Sequence, residues 1–225
     1  MPATVRPPAA ESDTADRILD AADRLLGRFG YRKMTVDDLA KEAGIGKGTV
    51  YLSFRSKEDI ALACIDRMAE RLRMRLESIA AENGPPADRL RRMLVLRVLH
   101  RFDYARGHSA RLDELMAAIR AQLIARRTRH FEAEAAIVSG VLAGAGIPRI
   151  DPDAAAEAMI TATNALLPYS LSARELGRRP EIERRATTVA ELVVRGVVAP
   201  TAHAVGAVAA QPPVPEPPRP RRNPS

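Results

Sequence analysis

Thr35-Val-Asp-Asp-Leu-Ala-Lys-Glu-Ala-Gly-Ile-Gly-Lys-Gly-Thr-Val-Tyr-Leu-Ser-Phe54 is the stretch on which the fold turns. Thr35 has the chemistry of a helix N-cap, and Asp37 and Asp38 place acids in the first turn, where the helix dipole favours them. Val36, Leu39, Ala40 and Ala43 then recur at helical spacing until Gly44, which can take the positive φ of a sharp turn. A second, very short helix follows over about 47–53. Ala40 and Ala43 are small enough for the two helices to cross closely, and Leu39, Ile45, Val50 and Phe54 supply a shared core. This is helix-turn-helix geometry.

The flanks extend the same pattern. Ile18, Ala21, Ala22, Leu25, Leu26 and Phe29 form one apolar helical face that Gly30 ends. Ser56-Lys-Glu-Asp59 opens another helix, with an apolar stripe through Ile60, Cys64, Ile65, Met68, Leu72, Leu76 and Ile79 as far as Asn83-Gly-Pro-Pro86. Beyond it the spacing predicts helices over about 87–106, 109–125, 127–145, 152–171 and 180–198, with breakers at Gly107, at Gly144 and Gly146-Ile147-Pro148, and at Gly177 and Pro180. Pro168 should kink or shorten the 152–171 helix, because its ring clashes with the carbonyl of Asn164. No period-2 stretch and no internal repeat is present. The fold class is all-α, with about nine helices.

Of 17 prolines, three lie in residues 1–8 and seven in 211–225. A disordered arm over 1–12 and a disordered Pro/Ala-rich tail over 200–225 are therefore expected around a folded body. That body divides into 13–72, which holds the helix-turn-helix, and 73–199.

The 225 residues are 46% hydrophobic, 28% charged and only 4% aromatic. No apolar run approaches the roughly 20 residues of a membrane span, and the start lacks the layout of a signal peptide. The single cysteine, Cys64, cannot form an internal disulfide and fits a small core position in a cytoplasmic protein. The net charge of +7 suggests an anionic partner. Its distribution does not single out the motif: residues 14–60 hold nine Lys/Arg against eight Asp/Glu, whereas 61–130 hold fifteen against eight. The lysines are more pointed, since all four (Lys33, Lys41, Lys47, Lys57) fall between 33 and 57.

The second helix of the motif would project Lys47, Thr49, Leu52 and Ser53 toward a major groove. Lys47 can reach a guanine edge or a phosphate, and Gly48 lets the backbone approach closely. Thr49 and Tyr51 offer hydroxyls to phosphate oxygens, while Thr35 and Lys57 stand at helix starts that already favour an anion. Gly44-Ile-Gly-Lys-Gly-Thr49 lacks the spacing of either glycine-rich phosphate loop. An enzyme would need a nucleophile–base pair, a metal cluster or paired carboxylates. The four histidines (His100, His108, His130, His203) are scattered, and no catalytic motif occurs. Neither a cofactor nor a metal is expected.

Residues 12–72 resemble the N-terminal DNA-binding domain of the TetR family of bacterial transcriptional regulators. The resemblance runs through Ile18-Leu-Asp-Ala-Ala22, Phe29-Gly-Tyr31, Thr35-Val-Asp-Asp-Leu-Ala40, Ala43-Gly-Ile45, Lys47-Gly-Thr-Val-Tyr51, Phe54 and Ser56-Lys-Glu58. Gly46 departs from it, since the family often has Ser or Thr there. The resemblance implies phosphate contacts from Thr35, Tyr51 and Lys57 and base contacts from the short helix. It also implies a C-terminal helical body that holds a small-molecule effector and dimerises through its last two helices. His100, Phe102, Tyr104, Met116, Phe131, Met159 and Tyr169 are the candidate pocket residues. The small or branched residues Ala158, Ala162, Val189, Val193 and Val197 are the candidate homodimer face, an ordinary internal core being the alternative for it. The expectation is a repressor released from double-stranded operator DNA by an effector. The alternatives are an activator, a regulator without an effector and, remotely, an enzyme. No membrane partner is expected, and the protein would be cytoplasmic, on the nucleoid when bound.

Overall fold

The computed structural model describes residues 9–107, 112–147 and 150–198, with the side chains of 9–12, 112–118 and 173 left undescribed. The described residues form nine α-helices and no strand. These are α1 (Ala9–Lys33), α2 (Val36–Ala43), α3 (Lys47–Ser53), α4 (Lys57–Ala80), α5 (Pro86–Gly107), α6 (Leu112–Gly144), α7 (Pro152–Ala162), α8 (Ala173–Leu176) and α9 (Arg179–Val198).

The helix-turn-helix forms for the local reasons its sequence contains. The Thr35 hydroxyl accepts the Asp38 N–H at 3.1 Å, and the Asp38 carboxylate accepts the Thr35 N–H at 3.3 Å, a reciprocal capping box. At the other end Gly44 is left-handed, at φ 65° and ψ 40°. Its N–H bonds the Lys41 carbonyl, and the Ile45 N–H reaches back to the Ala40 carbonyl at 3.0 Å. Arg17 of α1 donates to the carbonyls of Ala43 and Gly44, at 2.7 and 3.3 Å, so the turn is tied to the helix behind it.

Two buried clusters meet along α4. Ile60, Ala61, Leu62, Cys64 and Ile65 join Ile18, Ala21, Ala22, Leu25, Leu26, Leu39 and Val50 under the motif. Two turns further on, Leu72 and Leu76 join Leu90, Met93 and Leu94 of α5, with residues of α6, α7 and α9. A third cluster gathers Val98 and Phe102 with Leu166, Leu167, Ile182 and Ala186. Each large side chain fully buried in this way contributes about 1.5–3 kcal/mol.

Inside the C-terminal body lies an ion network. Arg97 is buried and donates to Glu134 at 2.6 Å, to Thr163 at 2.6 Å and to Asn164 at 2.8 Å. Arg101, also buried, shares the same Glu134 carboxylate. The Phe131 ring lies under both guanidiniums, 4.6 and 5.4 Å from its centroid. Burial pushes the Arg97 pKa down to about 10, with the Glu134 charge opposing it.

Five sequence expectations need correction. Phe29 is 50% exposed; Gly30, at φ 75°, turns the chain so that Tyr31 and Met34 enter the core in its place. Residues 9–12 are the first turn of α1 and not part of an arm, while residues 1–8 lie outside the described residues, as does the tail from 199 onward. The two helices expected over 109–125 and 127–145 are one helix of 33 residues, because no Gly or Pro interrupts 112–139. The helix from 152 ends at Ala162 and continues as 3-10 turns over Asn164–Leu166 and Pro168–Ser170, a full turn before the proline reached it. The short α8 was not foreseen, although its capping box, Ser172 with Glu175, was legible.

Replacing Gly44 by Ala forces a side chain into the left-handed region. The expected cost is about 1–2 kcal/mol, read as a lower urea midpoint with an unchanged denaturant slope.

Candidate nucleic-acid interface

Only one side of α3 is used by the fold. Val50 is buried against α1 and α2, with Ile45 and Phe54 packed beside it. The other side carries Lys47, Gly48, Tyr51, Leu52 and Ser53, all exposed, with Thr49 half-buried at the edge. Leu52 is 88% and Tyr51 51% exposed, an unusual degree for large apolar side chains next to a core. Nothing lies within 4 Å of where a Cβ on Gly48 would stand, so the face is open there. Gly46 begins α3 with extended backbone and no side-chain cap. The α3 N-terminus therefore lacks a side-chain cap, and its Thr49 and Val50 N–H groups turn back to the Gly46 carbonyl.

Lys47 is not free in this state. Its ammonium bonds the Asp37 carboxylate at 2.9 Å, and that bond raises its pKa above the usual lysine value. Sequence reading gave Asp37 only a helix-dipole role and missed this pair, which depends on the angle between α2 and α3. Thr35 is likewise committed: its hydroxyl donates to Asp38 at 2.6 Å while accepting the Asp38 N–H.

Lys57 stands at the start of α4 behind the Ser56 cap, whose hydroxyl accepts the Asp59 N–H at 3.1 Å. The Lys57 ammonium donates to the Tyr31 carbonyl at 3.1 Å and sits 4.3 Å over the Tyr31 ring. The Tyr31 hydroxyl in turn donates to Glu58 at 2.6 Å, which lowers the Glu58 pKa. An ammonium has three donors, so Lys57 keeps capacity for an outside oxygen while Tyr31 fixes its direction.

The seven expected pocket residues do not converge on one cavity. His100 and Tyr104 line a cleft between α4, α5 and α9. Phe102 and Met159 are buried in two different clusters. Phe131 underlies the arginine network, and Tyr169 is part exposed, with the Arg127 guanidinium 5.1 Å from its ring. The Met116 side chain lies outside the described residues. Volume and ring chemistry alone marked these residues, and most of that volume is spent on packing.

The expected dimer face is also redistributed. Ala158 is exposed and Ala162 half-buried, whereas Val189, Val193 and Val197 pack against the chain's own clusters. The outward face of α9 is Thr188, Leu192 and Gly196, with Leu192 65% exposed. The break in period between a helix's inner and outer stripes, one residue wide, separates Leu192 from Val193.

With this geometry in place, the kinship is plain. Residues 18–64 match the family model for bacterial regulatory proteins of the tetR family. The matched segment runs from α1 through the helix-turn-helix into α4. It is 40% identical over 86 residues to the HTH-type transcriptional regulator EthR of Mycobacterium tuberculosis, 38% of each chain. It is 32% identical over 74 residues to the fatty acid metabolism regulator protein of Bacillus subtilis, 33% of this chain and 38% of that one. The chain thus aligns with less than half the length of these relatives. Over the whole fold it is similar to a TetR-family transcriptional regulator from Pectobacterium atrosepticum, with TM-score 0.65 at 15% identity, covering 87% of this chain and 99% of that one. It is also similar to FadR from Bacillus subtilis, solved in complex with stearoyl-CoA, with TM-score 0.52 at 21% identity, covering 81% and 98%.

Tyr31→Phe keeps the ring under Lys57 and removes the bond to Glu58. Because that bond lowers the folded Glu58 pKa, its contribution is present at neutral pH and lost as pH falls through that lowered value. The variant should be about 1 kcal/mol less stable at pH 7, and the gap to the native protein should close on acidification, as the Glu58 carboxylate is protonated. Urea titrations at pH 7 and pH 3 check both halves.

Proposed function

We propose that the protein is a sequence-specific DNA-binding transcriptional regulator. It acts as a homodimeric repressor in the cytoplasm, and a small-molecule effector held by the C-terminal body releases it from its operator. The observation that carries this reading is the outward face of α3. Its open glycine, lysine, hydroxyls and exposed leucine have no role in the fold's own core and match what a major groove offers. In this reading residues 13–72 read DNA and residues 73–199 bind the effector and dimerise.

Lys47 is the base-edge contact, exchanging Asp37 for a guanine edge, with Thr49, Leu52 and Ser53 beside it. Leu52 offers apolar surface to a thymine methyl. Gly48 permits close approach, and Tyr51 and Lys57 hold phosphates, with Thr35 joining them by exchanging Asp38 for a phosphate oxygen; these contacts set register without reading sequence. A dimer reading successive major grooves needs its two α3 helices about 34–36 Å apart. An effector that prefers a different spacing lowers DNA affinity by its differential binding energy. The match of residues 18–64 to regulators of this family supports the reading, as does the whole-chain similarity in fold.

Lys57→Ala should weaken binding to all duplexes alike and reduce the salt slope by about 1, whereas Lys47→Ala should also change which duplexes are preferred. Binding titrations at two salt concentrations on a small set of duplexes separate the two. If Lys47→Ala weakens every duplex equally, base readout lies in Thr49, Leu52 or Ser53.

Leu192→Arg tests assembly without entering the monomer core, which Val193→Arg would. The charge would be buried twice across a two-fold face, at several kcal/mol per copy. Sedimentation should show a monomer with native helix content and much weaker DNA binding. A variant that remains dimeric moves the interface away from α9.

A further inference from the structure

The cleft between α4, α5 and α9 has a volume of about 340 Å³ and a mixed character. Its apolar surface comes from Met68 on α4 and from Leu96 and Leu99 on α5. Over that surface stand Arg71 and Arg75, one turn apart on the exposed side of α4. Arg179, at the start of α9, is already neutralised by the Asp103 carboxylate at 2.7 and 3.1 Å and by Glu183 at 2.8 Å. Neither Arg71 nor Arg75 has an ion pair among the described residues, and the carboxylate that shares their cleft, Asp103, is taken up by Arg179. Most other arginines of α4 and α5 are ion-paired: Arg67, Arg73, Arg91, Arg92, Arg97 and Arg101 each have a carboxylate.

Among the described residues Arg75 has one hydrogen-bond partner, and that partner carries no charge. The Arg75 guanidinium lies 3.1 Å from Nδ1 of His100, whose Nε2 lies 3.1 Å from the Met68 carbonyl. A guanidinium can only donate and a carbonyl can only accept. The ring is therefore neutral, with its proton on Nε2, and it supplies no charge to balance Arg75. Burial, followed by the charges of Arg75, Arg101 and Arg71, lowers the His100 pKa and keeps the ring neutral. The apolar surface does not stop at the cleft. A second hollow of about 560 Å³ shares Arg75 and Leu96 with it and continues over Ile79 and Val95. Two unbalanced cations at the junction of two connected apolar hollows suit a ligand with an anionic head and an apolar body. Both volumes fall within the range of small-molecule sites.

We infer that this cleft binds an anionic amphiphile, its head on Arg71 and Arg75 and its tail along Leu96 and Val95. This wall also touches the DNA-reading half. Tyr104, which lines the cleft, donates to Asp23 of α1 at 2.8 Å, and Arg67 of α4 holds the other oxygen of Asp23 at 2.7 Å. A ligand that widens the α4–α5 cleft pulls on that shared carboxylate. The binding step stands by itself; the coupling step rests on the regulator reading proposed above.

Calorimetric titration of the full chain with decanoate, decanol and inorganic phosphate, without DNA, tests the binding step. Decanoate should bind, decanol at least about tenfold more weakly, and phosphate not measurably. The Arg71→Ala/Arg75→Ala variant, both of whose sites are exposed, should keep its helix content and lose at least about tenfold in decanoate affinity. Equal binding of decanol, equal binding of phosphate, or an unchanged decanoate affinity in the double variant would each overturn the inference. The coupling step is read separately, as a change in DNA affinity on adding decanoate that Tyr104→Phe abolishes. Decanoate that binds without moving DNA affinity overturns that step alone. A native protein that binds decanoate but discriminates no DNA sequence overturns the regulator reading and leaves the cleft standing.

Discussion

The carboxylate of Asp23 ties together three helices that have different tasks. It belongs to α1, accepts from Arg67 of α4 on one oxygen and from Tyr104 of α5 on the other. Arg67 also holds Asp20 at 2.8 Å, so one guanidinium fastens two turns of α1 to the middle of α4. These groups are only partly solvated, and breaking such a bond strands a charge whose desolvation has already been incurred. A small polar joint therefore holds the helix-turn-helix half against the rest of the chain, beside the apolar packing along α4. A second joint, Asp66 of α4 with Arg126 and His130 of α6, works beside it; the His130 ring stands 2.9 Å from that carboxylate.

From that joint the geometry propagates in both directions. Toward the N-terminus, α1 fixes the turn through Arg17, the turn fixes the angle of α3 to α2, and that angle places Lys47 against Asp37. Toward the C-terminus, α4 passes from the first buried cluster into the second within two turns, so it cannot shift in one without disturbing the other. Helix α5 is another long element at this junction. Its inner side is held by Arg97 and Arg101 on Glu134, two cations sharing one buried anion. Removing Glu134 alone would leave both charges buried and unmatched, a loss of about 3–5 kcal/mol.

What the sequence disclosed and what it hid follow from the range of the interactions. Thr35 with Asp38, Gly44 and Ser56 are local chemistry, decided within four residues, and each occupies the position its type suggested. The all-α class, the helix-turn-helix and the outward face of α3 were legible for the same reason. The Arg97–Glu134–Arg101 network spans more than thirty residues, and arginine as a residue type argues against an interior position on α5. The only hint was that Arg97 and Arg101 fall on the same stripe as Met93, Leu94 and Val98. Long side chains on α5 and α6 looked like pocket walls because bulk does not tell packing from lining. On α9 the apolar stripe is broad enough to include both the inner valines and Leu192, and only tertiary contact separates them.

The account depends most on α3 reading sequence from two copies related by a two-fold axis. Selecting bound duplexes from a random-sequence library with the full chain tests that most directly. The account predicts enrichment of an inverted repeat whose half-sites are centred one helical turn, about 10–10.5 base pairs, or a multiple of it apart. A bound pool with no enriched sequence, or with a single unrepeated half-site, would contradict it.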